Sequence, residues 1–365
     1  MNPISKRPIS HLDRRRFLVR GLQAGGLLLS ASALAACGSD DDKKAQSTGG
    51  DSGKSPHGRL DLRFAWLKNV EFAGCYIADS KGYYREEGFG EVNLIAGGPS
   101  ATPQETDLIT GKAFIALTSP DRTASAVKEG AKLVTLGAGY QKNPFAIVSM
   151  TSKPIRTPQD MFGKKIGVAA ANESVWQAFL KANDIPESKL TKIPVQFDPS
   201  VLPQGQVDGL MSYITNEPTV LRLKGHDVTT FMLADFNYPL VGETYVVTRE
   251  NLSKNPEKIK AALRAEIRGW KDAVADPALG ARLAVENYGK SLGLDLEEQT
   301  IEAADQNKLI LTDETRANGL FTMTPALVEA NMRALTFAGF DLGTEELFDL
   351  SLLESIYRER PDLKN

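Results

Sequence analysis

LDLRFAW (60–66) alternates apolar and polar residues like a half-buried strand. The next stretch, 73–87, has helical spacing and stops at Gly88. EVNLIA (91–96) is a strand again, closed by Gly97-Gly98-Pro99. The pattern continues with a short helix (101–110), AFIALT (113–118), a helix (121–129), KLVTLGA (132–138) and FAIVSM (145–150). Strands that alternate with helices cannot pair as hairpins and predict a mostly parallel α/β sheet.

After Pro154 and Pro158 the pattern restarts. KKIGVAA (164–170), a helix over 173–183, KIPVQF (192–197), VDGLMSY (207–213), a helix over 217–224, DVTTFML (227–233) and TYVVTR (244–249) follow in order. From Pro256 the spacing is helical almost throughout: 256–275, 278–290, 295–308, 325–338 and 346–357. Two segments echo each other: Gly111 to Ser119 and Gly205 to Ser212 each run from a glycine through a short apolar strand to a serine. Ligands of open α/β sheets sit at the carboxyl ends of strands, so two such units predict two similar lobes facing one cleft.

Composition narrows the function. The 365 residues are 42% hydrophobic and 24% charged, which is globular and of about two-domain length. The net charge is −3, yet residues 1–36 hold six Lys/Arg and one acidic residue, so the remainder is at about −8. That body has no basic footprint for nucleic acid. Two cysteines, Cys37 and Cys75, exclude a disulfide framework or a multi-Cys metal site. Of three histidines, His11, His57 and His226, one falls in the expected folded body, so no metal site and no cofactor is expected.

The N-terminus reads as an address. Arg14-Arg15-Arg16-Phe17-Leu18 resembles a twin-arginine export motif, and the apolar stretch 21–36 is short for a membrane span. It ends in Leu34-Ala35-Ala36-Cys37, which resembles a lipobox, with Cys37 the residue to be acylated. Residues 1–36 are thus expected to be a signal peptide and 37–57 a flexible tether free of large apolar residues.

Trp66, Gly74-Cys75-Tyr76-Ile77-Ala78 and Gly82-Tyr83-Tyr84-Arg85-Glu86-Glu87-Gly88 together resemble the opening of the bacterial solute-binding proteins related to the fungal thiamine-pyrimidine synthase and to the nitrate, sulfonate and taurine binders. The likeness continues through Gly97-Gly98, Gly111, Gly137 to Asn143-Pro144, Gly163-Lys164-Lys165-Ile166-Gly167, Val207-Asp208 and Asn216-Glu217, covering about residues 60–275. It implies a type II periplasmic-binding-protein fold of two α/β lobes joined by two crossover strands. Lobe one would be 58–147 plus 244–365, and lobe two 148–243. It also implies a monomer that captures a small solute and hands it to an ABC permease with its ATPase, held to the outer face of the cytoplasmic membrane by lipid on Cys37. The synthase relatives carry a run of cysteines that this body lacks, which implies binding rather than catalysis. A ligand-sensing lipoprotein is the alternative within the binding class.

Polar and aromatic residues at strand ends are the candidate cleft. Lobe one offers Trp66, Asn69, Glu71 and Phe72 after the first strand, Gly98 after the second, Ser119 and Asp121 after the third, and Gln141 and Asn143 after the fourth. Lobe two offers Asn172, Glu173, Trp176, Tyr213, Asn216 and Glu217, with Tyr238, Glu243 and Tyr245 near the return crossing. Asn172-Glu173 and Asn216-Glu217-Pro218 also read as helix starts. The set is rich in aromatics, amides and carboxylates and poor in cations, with Arg122 the nearby exception. A sulfonate or nitrate wants fixed cationic donors. Aromatic planes with carboxylates instead suit a flat nitrogen-bearing ring such as a thiamine pyrimidine precursor, with a riboflavin-like ring as a rival.

Overall fold

The computed structural model describes residues 55–364. Two five-stranded mixed sheets carry helices on their faces. The first contains β1 (Gly58–Arg63), β2 (Phe89–Ile95), β3 (Ile115–Thr118), β4 (Leu133–Tyr140) and β10 (Gly242–Thr248), in the order β2-β1-β3-β10-β4. The second contains β5 (Phe145–Met150), β6 (Lys165–Ala169), β7 (Thr191–Val195), β8 (Gly209–Tyr213) and β9 (Val228–Met232), in the order β7-β6-β8-β5-β9. The chain leaves the first sheet after Tyr140, enters the second at Phe145 and returns at Gly242.

Each sheet keeps a parallel half: β1 pairs parallel with β2 and β3, and β6 with β7 and β8. The strands on either side of the crossings break that pattern. β10 runs antiparallel to both β3 and β4, and β5 antiparallel to β8 and β9. The sequence expectation of mostly parallel sheets holds for four of the five strands in each; β10 and β5, each arriving from the other sheet, enter from the opposite end.

The helices that matter below are α1 (Ala73–Ser80), α2 (Pro120–Lys128), α3 (Glu173–Ala182), α4 (Glu217–Leu223), α5 (Pro256–Ala275), α6 (Leu296–Ile310), α7 (Pro325–Phe337) and α8 (Ser351–Glu359). The stretch 73–87 is not one helix. Gly82 takes φ 77°, which ends α1 and starts a separate turn at Tyr83–Glu86. α1 and α5 cross closely on glycines: a Cβ at Gly74 would enter the Trp270 ring, and one at Gly269 would enter the Gly74 carbonyl.

The core over the first sheet is built from Leu60, Leu62, Phe64, Ile77, Ile115, Val247, Leu263 and Ile267, all fully buried or nearly so. A buried carboxyl, Glu266 of α5, sits inside it and accepts from the Tyr84, Tyr245 and Cys75 side chains. The core of the second sheet gathers Ile166, Val168, Met211 and Phe231 with Trp176 and Phe179 of α3, and α7 adds Val328 and Leu335. Buried Arg63 ties β1 to the following loops. It pairs with Asp107 at 2.8 Å and donates to the Phe64, Ala96 and Thr102 carbonyls. No helix among the described residues is long and apolar enough to cross a membrane.

Candidate functional site

Strand ends and loops of both sheets enclose one cavity, with about 170 Å³ open to the centre of a water molecule. β1 delivers Trp66, Asn69 and Glu71. The Asn69 side chain accepts from the Glu71 amide at 3.2 Å, and Tyr76 donates to the Asn69 carbonyl at 2.9 Å, which fixes this loop. β3 delivers Ser119 and, in the first turn of α2, Asp121 and Arg122. At the outward crossing Asn143 lines the cavity while its Oδ1 accepts from the Phe145 amide at 2.7 Å. Asn172, Tyr213, Asn216 and Glu217 come from the second sheet, and Glu243 opens β10.

Eleven of the eighteen residues expected in the cleft therefore line it: Trp66, Asn69, Glu71, Ser119, Asp121, Asn143, Asn172, Tyr213, Asn216, Glu217 and Glu243. The other seven lie elsewhere. Phe72 is fully buried and stacks on Phe64 at 4.2 Å. Trp176 and Tyr238 are fully buried in the second core, each beside Phe179 in that cluster. Tyr245 is fully buried in the first core, where its hydroxyl donates to Glu266 at 3.0 Å. Gln141 turns back to the Ala138 carbonyl at 3.0 Å. Glu173 pairs with Lys192 and accepts from Gln177. Gly98, at φ 130°, serves the loop beside Leu67.

The structure adds residues that strand-end reasoning passes over. Phe197, on the loop after β7, meets Trp66 edge to face with ring centroids 5.0 Å apart, so the two sheets touch across the cavity. Phe145 and Tyr213 form a second edge-to-face pair at 4.8 Å. Glu302 and Gln306 of α6 also line the wall, and Asn216 donates to Glu302 at 2.6 Å. Gln299, Glu302 and Gln306 form a polar row at helical spacing along α6, all nearly fully buried. That row is readable in the sequence as a polar stripe on one helix face.

Charge is lopsided. Glu71, Asp121, Glu217, Glu243 and Glu302 face the cavity, and Arg122 is the one cation among its described lining residues. Burial disfavours the ionised form of each Glu. It pushes Glu71 and Glu217 up to about 7 and Glu302 up to about 8. Glu243 stands well above the usual carboxylate range, through burial first and then the neighbouring Glu71 charge. Glu217 is partly committed already, since it accepts from the Tyr213 amide at 2.8 Å at the start of α4. Such a wall accepts hydrogen bonds from amines and ring N–H groups. No His, Cys or Lys is among the described lining residues, and no metal-holding cluster of His, Cys, Asp and Glu occurs among the described residues.

Comparison with known proteins follows the same line. The model of the NMT1/THI5-like family matches residues 69–279. The riboflavin-binding protein RibY of Chloroflexus aurantiacus is 27% identical over 223 residues, which cover 60% of this chain and 63% of that one, so the match spans less than two thirds of the relative. The formylaminopyrimidine-binding protein of Halalkalibacterium halodurans is 22% identical over 251 residues, 66% of this chain and 75% of the relative. Among solved structures, the aliphatic sulphonate binding protein SsuA of Escherichia coli superposes with a TM-score of 0.59 at 16% identity, covering 76% of this chain and 85% of that chain. The desulfurization enzyme DSZB shares the fold at a TM-score of 0.52 and 12% identity, over 82% of this chain and 99% of that chain, so the fold alone does not separate binding from catalysis. With more than half of its length matched, the chain belongs to the NMT1/THI5-like family.

Proposed function

We propose that this chain is the extracytoplasmic solute-binding component of an ABC importer and that its cavity takes a small, flat, nitrogen-bearing heteroaromatic solute. The observation that carries this reading is the cavity wall itself: aromatic faces from both sheets, Trp66 and Phe197, beside five carboxyl groups and one guanidinium. An aromatic plane stacks a flat ring. Carboxyls accept from its exocyclic amine or protonated ring nitrogen. An anion such as a sulfonate or nitrate wants fixed cationic donors, and Arg122 is the one cation among the described lining residues. Both curated relatives are named as binding proteins, one for riboflavin and one for a formylaminopyrimidine, which supports capture over catalysis and keeps riboflavin-like rings as the second reading.

In this reading the ligand contacts are the eleven expected lining residues together with Phe197, and the lobes, 58–147 plus 244–365 and 148–243, close on the solute as a monomer. The partners are a permease and its ATPase. Lipid at Cys37, after twin-arginine export, would hold the binder beside them by effective concentration; those residues lie outside the described ones. Thermal-shift titration with a 4-amino-5-hydroxymethylpyrimidine, riboflavin, taurine and nitrate tests the solute class. The true class stabilises the protein by about 2.7 kcal/mol at a hundred times Kd. A shift with taurine or nitrate alone refutes it.

A further inference from the structure

Glu71 lies in the short turn after β1, and Glu243 opens the strand by which the chain returns to the first sheet. Both are buried and both line the cavity, and the Glu71 charge acts on the Glu243 carboxyl. Two buried carboxylates side by side only accept hydrogen bonds and repel each other, so one of them favours its protonated form. Glu243 Oε2 is buried and no donor reaches it, a costly state for an ionised oxygen and an ordinary one for a protonated hydroxyl turned toward Glu71. The backbone at Glu243 takes φ 48°, a conformation uncommon outside glycine and asparagine, and Gly139 opposite leaves room for its Cβ. Unusual backbone of this kind persists where the surroundings hold a functional side chain in place.

We propose that Glu71 and Glu243 form a two-carboxyl seat that shares one proton in the empty protein and receives a cationic nitrogen of the solute, so that capture is linked to the protonation of the pair and a protonated amine, amidine or ring nitrogen is selected over an uncharged ring. This rests on the solute-binding reading of the cavity.

The pair titrates as a unit. Its lower step lies at about 7, to which burial pushes Glu71. Its upper step lies much higher, because burial and the Glu71 charge both hold the Glu243 proton. Below about 7 the pair is neutral; above it the pair carries one negative charge. Arg122 of α2 favours ionisation of Glu243. Tyr76 and Cys75 of α1, Tyr140 of β4 and Tyr213 of β8 also face the pair, and burial keeps each of them neutral well past that point. Glu302 of α6 titrates at about 8 and Glu217 at about 7, so substitutions at the pair itself are needed to separate the three. A cation thus binds more weakly as the pH falls below about 7, by about tenfold per unit for one linked proton.

Two readouts test this. Infrared difference spectra of the empty full-length protein at about pH 8, a unit above the lower step, compare wild type with Glu243→Gln and Glu71→Gln. A protonated-carboxyl component that is present in wild type and disappears in the Glu243→Gln difference, over the bands of Glu217 and Glu302 that both share, is expected, with the midpoint of that component moved down in Glu71→Gln. Calorimetric titration then follows the Kd of 4-amino-5-aminomethyl-2-methylpyrimidine, which carries a cationic arm, and of riboflavin, which is uncharged. The first Kd should worsen about tenfold per pH unit below about 7 in wild type and lose that slope in Glu243→Gln, while riboflavin shows no such slope. Wild-type and Glu243→Gln spectra without a protonated-carboxyl difference overturn the seat whether or not either probe binds. A pH-independent Kd for the cationic probe, or binding of riboflavin alone, overturns its selectivity. A band present with neither probe bound supports the shared proton and refutes the heteroaromatic reading instead.

Discussion

Trp66→Ala is the perturbation that bears hardest on the cavity. Trp66 follows β1 and is partly buried, packed on the first core at one side and on the edge of Phe197 at the other. An aromatic pair contributes about 0.5–1.5 kcal/mol beyond the area it buries. A solute ring stacked on the indole would lose that together with the buried area of the contact, so a loss of about 1.4–2.8 kcal/mol, or ten- to a hundredfold in Kd, is expected. Phe197→Ala should cost less, because the phenyl ring is smaller and lies 37% exposed. The double variant should fall short of the sum by about 0.5 kcal/mol or more, since both rings would contact one solute. Calorimetry on whichever ring compound binds wild type gives the four affinities, and thermal melting shows that each variant still folds. Unchanged affinity in Trp66→Ala, or strict additivity in the double variant, refutes the aromatic grip.

Three further outcomes follow from the packing and the buried charges. Arg63→Met strips the partner from Asp107, whose side chain is 9% exposed, and should cost about 3–5 kcal/mol in urea unfolding; a loss under about 1 kcal/mol would show that the loops do not depend on this pair. Trp176→Ala removes a fully buried ring from the second core and should destabilise by about 3–5 kcal/mol while leaving the affinity of the folded protein within about twofold; a selective loss of binding would put Trp176 in the site. Glu71, Glu217 and Glu302 hold protons in the folded state that they release when unfolded, so their contribution to stability is full below the ordinary carboxylate range and is lost as pH rises from there through about 7 to about 8. Glu302→Gln should flatten the upper part of that decline in unfolding measured across pH; a profile that rises there contradicts the buried, proton-holding state.

Most elements were legible because each has its own local period. FAIVSM is β5 over the expected residues, and the helix expected at 217–224 is α4 over Glu217–Leu223. The direction of the crossover strands was not legible: nothing in TYVVTR says that β10 enters the first sheet antiparallel after a crossing, since direction is set by where the chain has come from. The site divides the same way. Asn69, Ser119, Tyr213 and Asn216 follow strands, and the strand-end rule finds them. Trp176 and Tyr238 have the same chemistry as ligand residues, and only packing around Phe179 shows that they fill core. Phe197 was read as the last residue of a strand; β7 stops at Val195, and that early end is what frees the ring to reach Trp66. Glu302 comes from a helix more than fifty residues beyond the second crossing, and contacts at that separation leave no mark on the local pattern.

A crystal structure of the protein with the tightest-binding member of the solute panel tests the account most directly. The solute ring should lie against Trp66 and Phe197 with a nitrogen within hydrogen-bond distance of Glu71 or Glu243. A solute held instead by Arg122 at the rim, or on a surface remote from both aromatic rings, would contradict it.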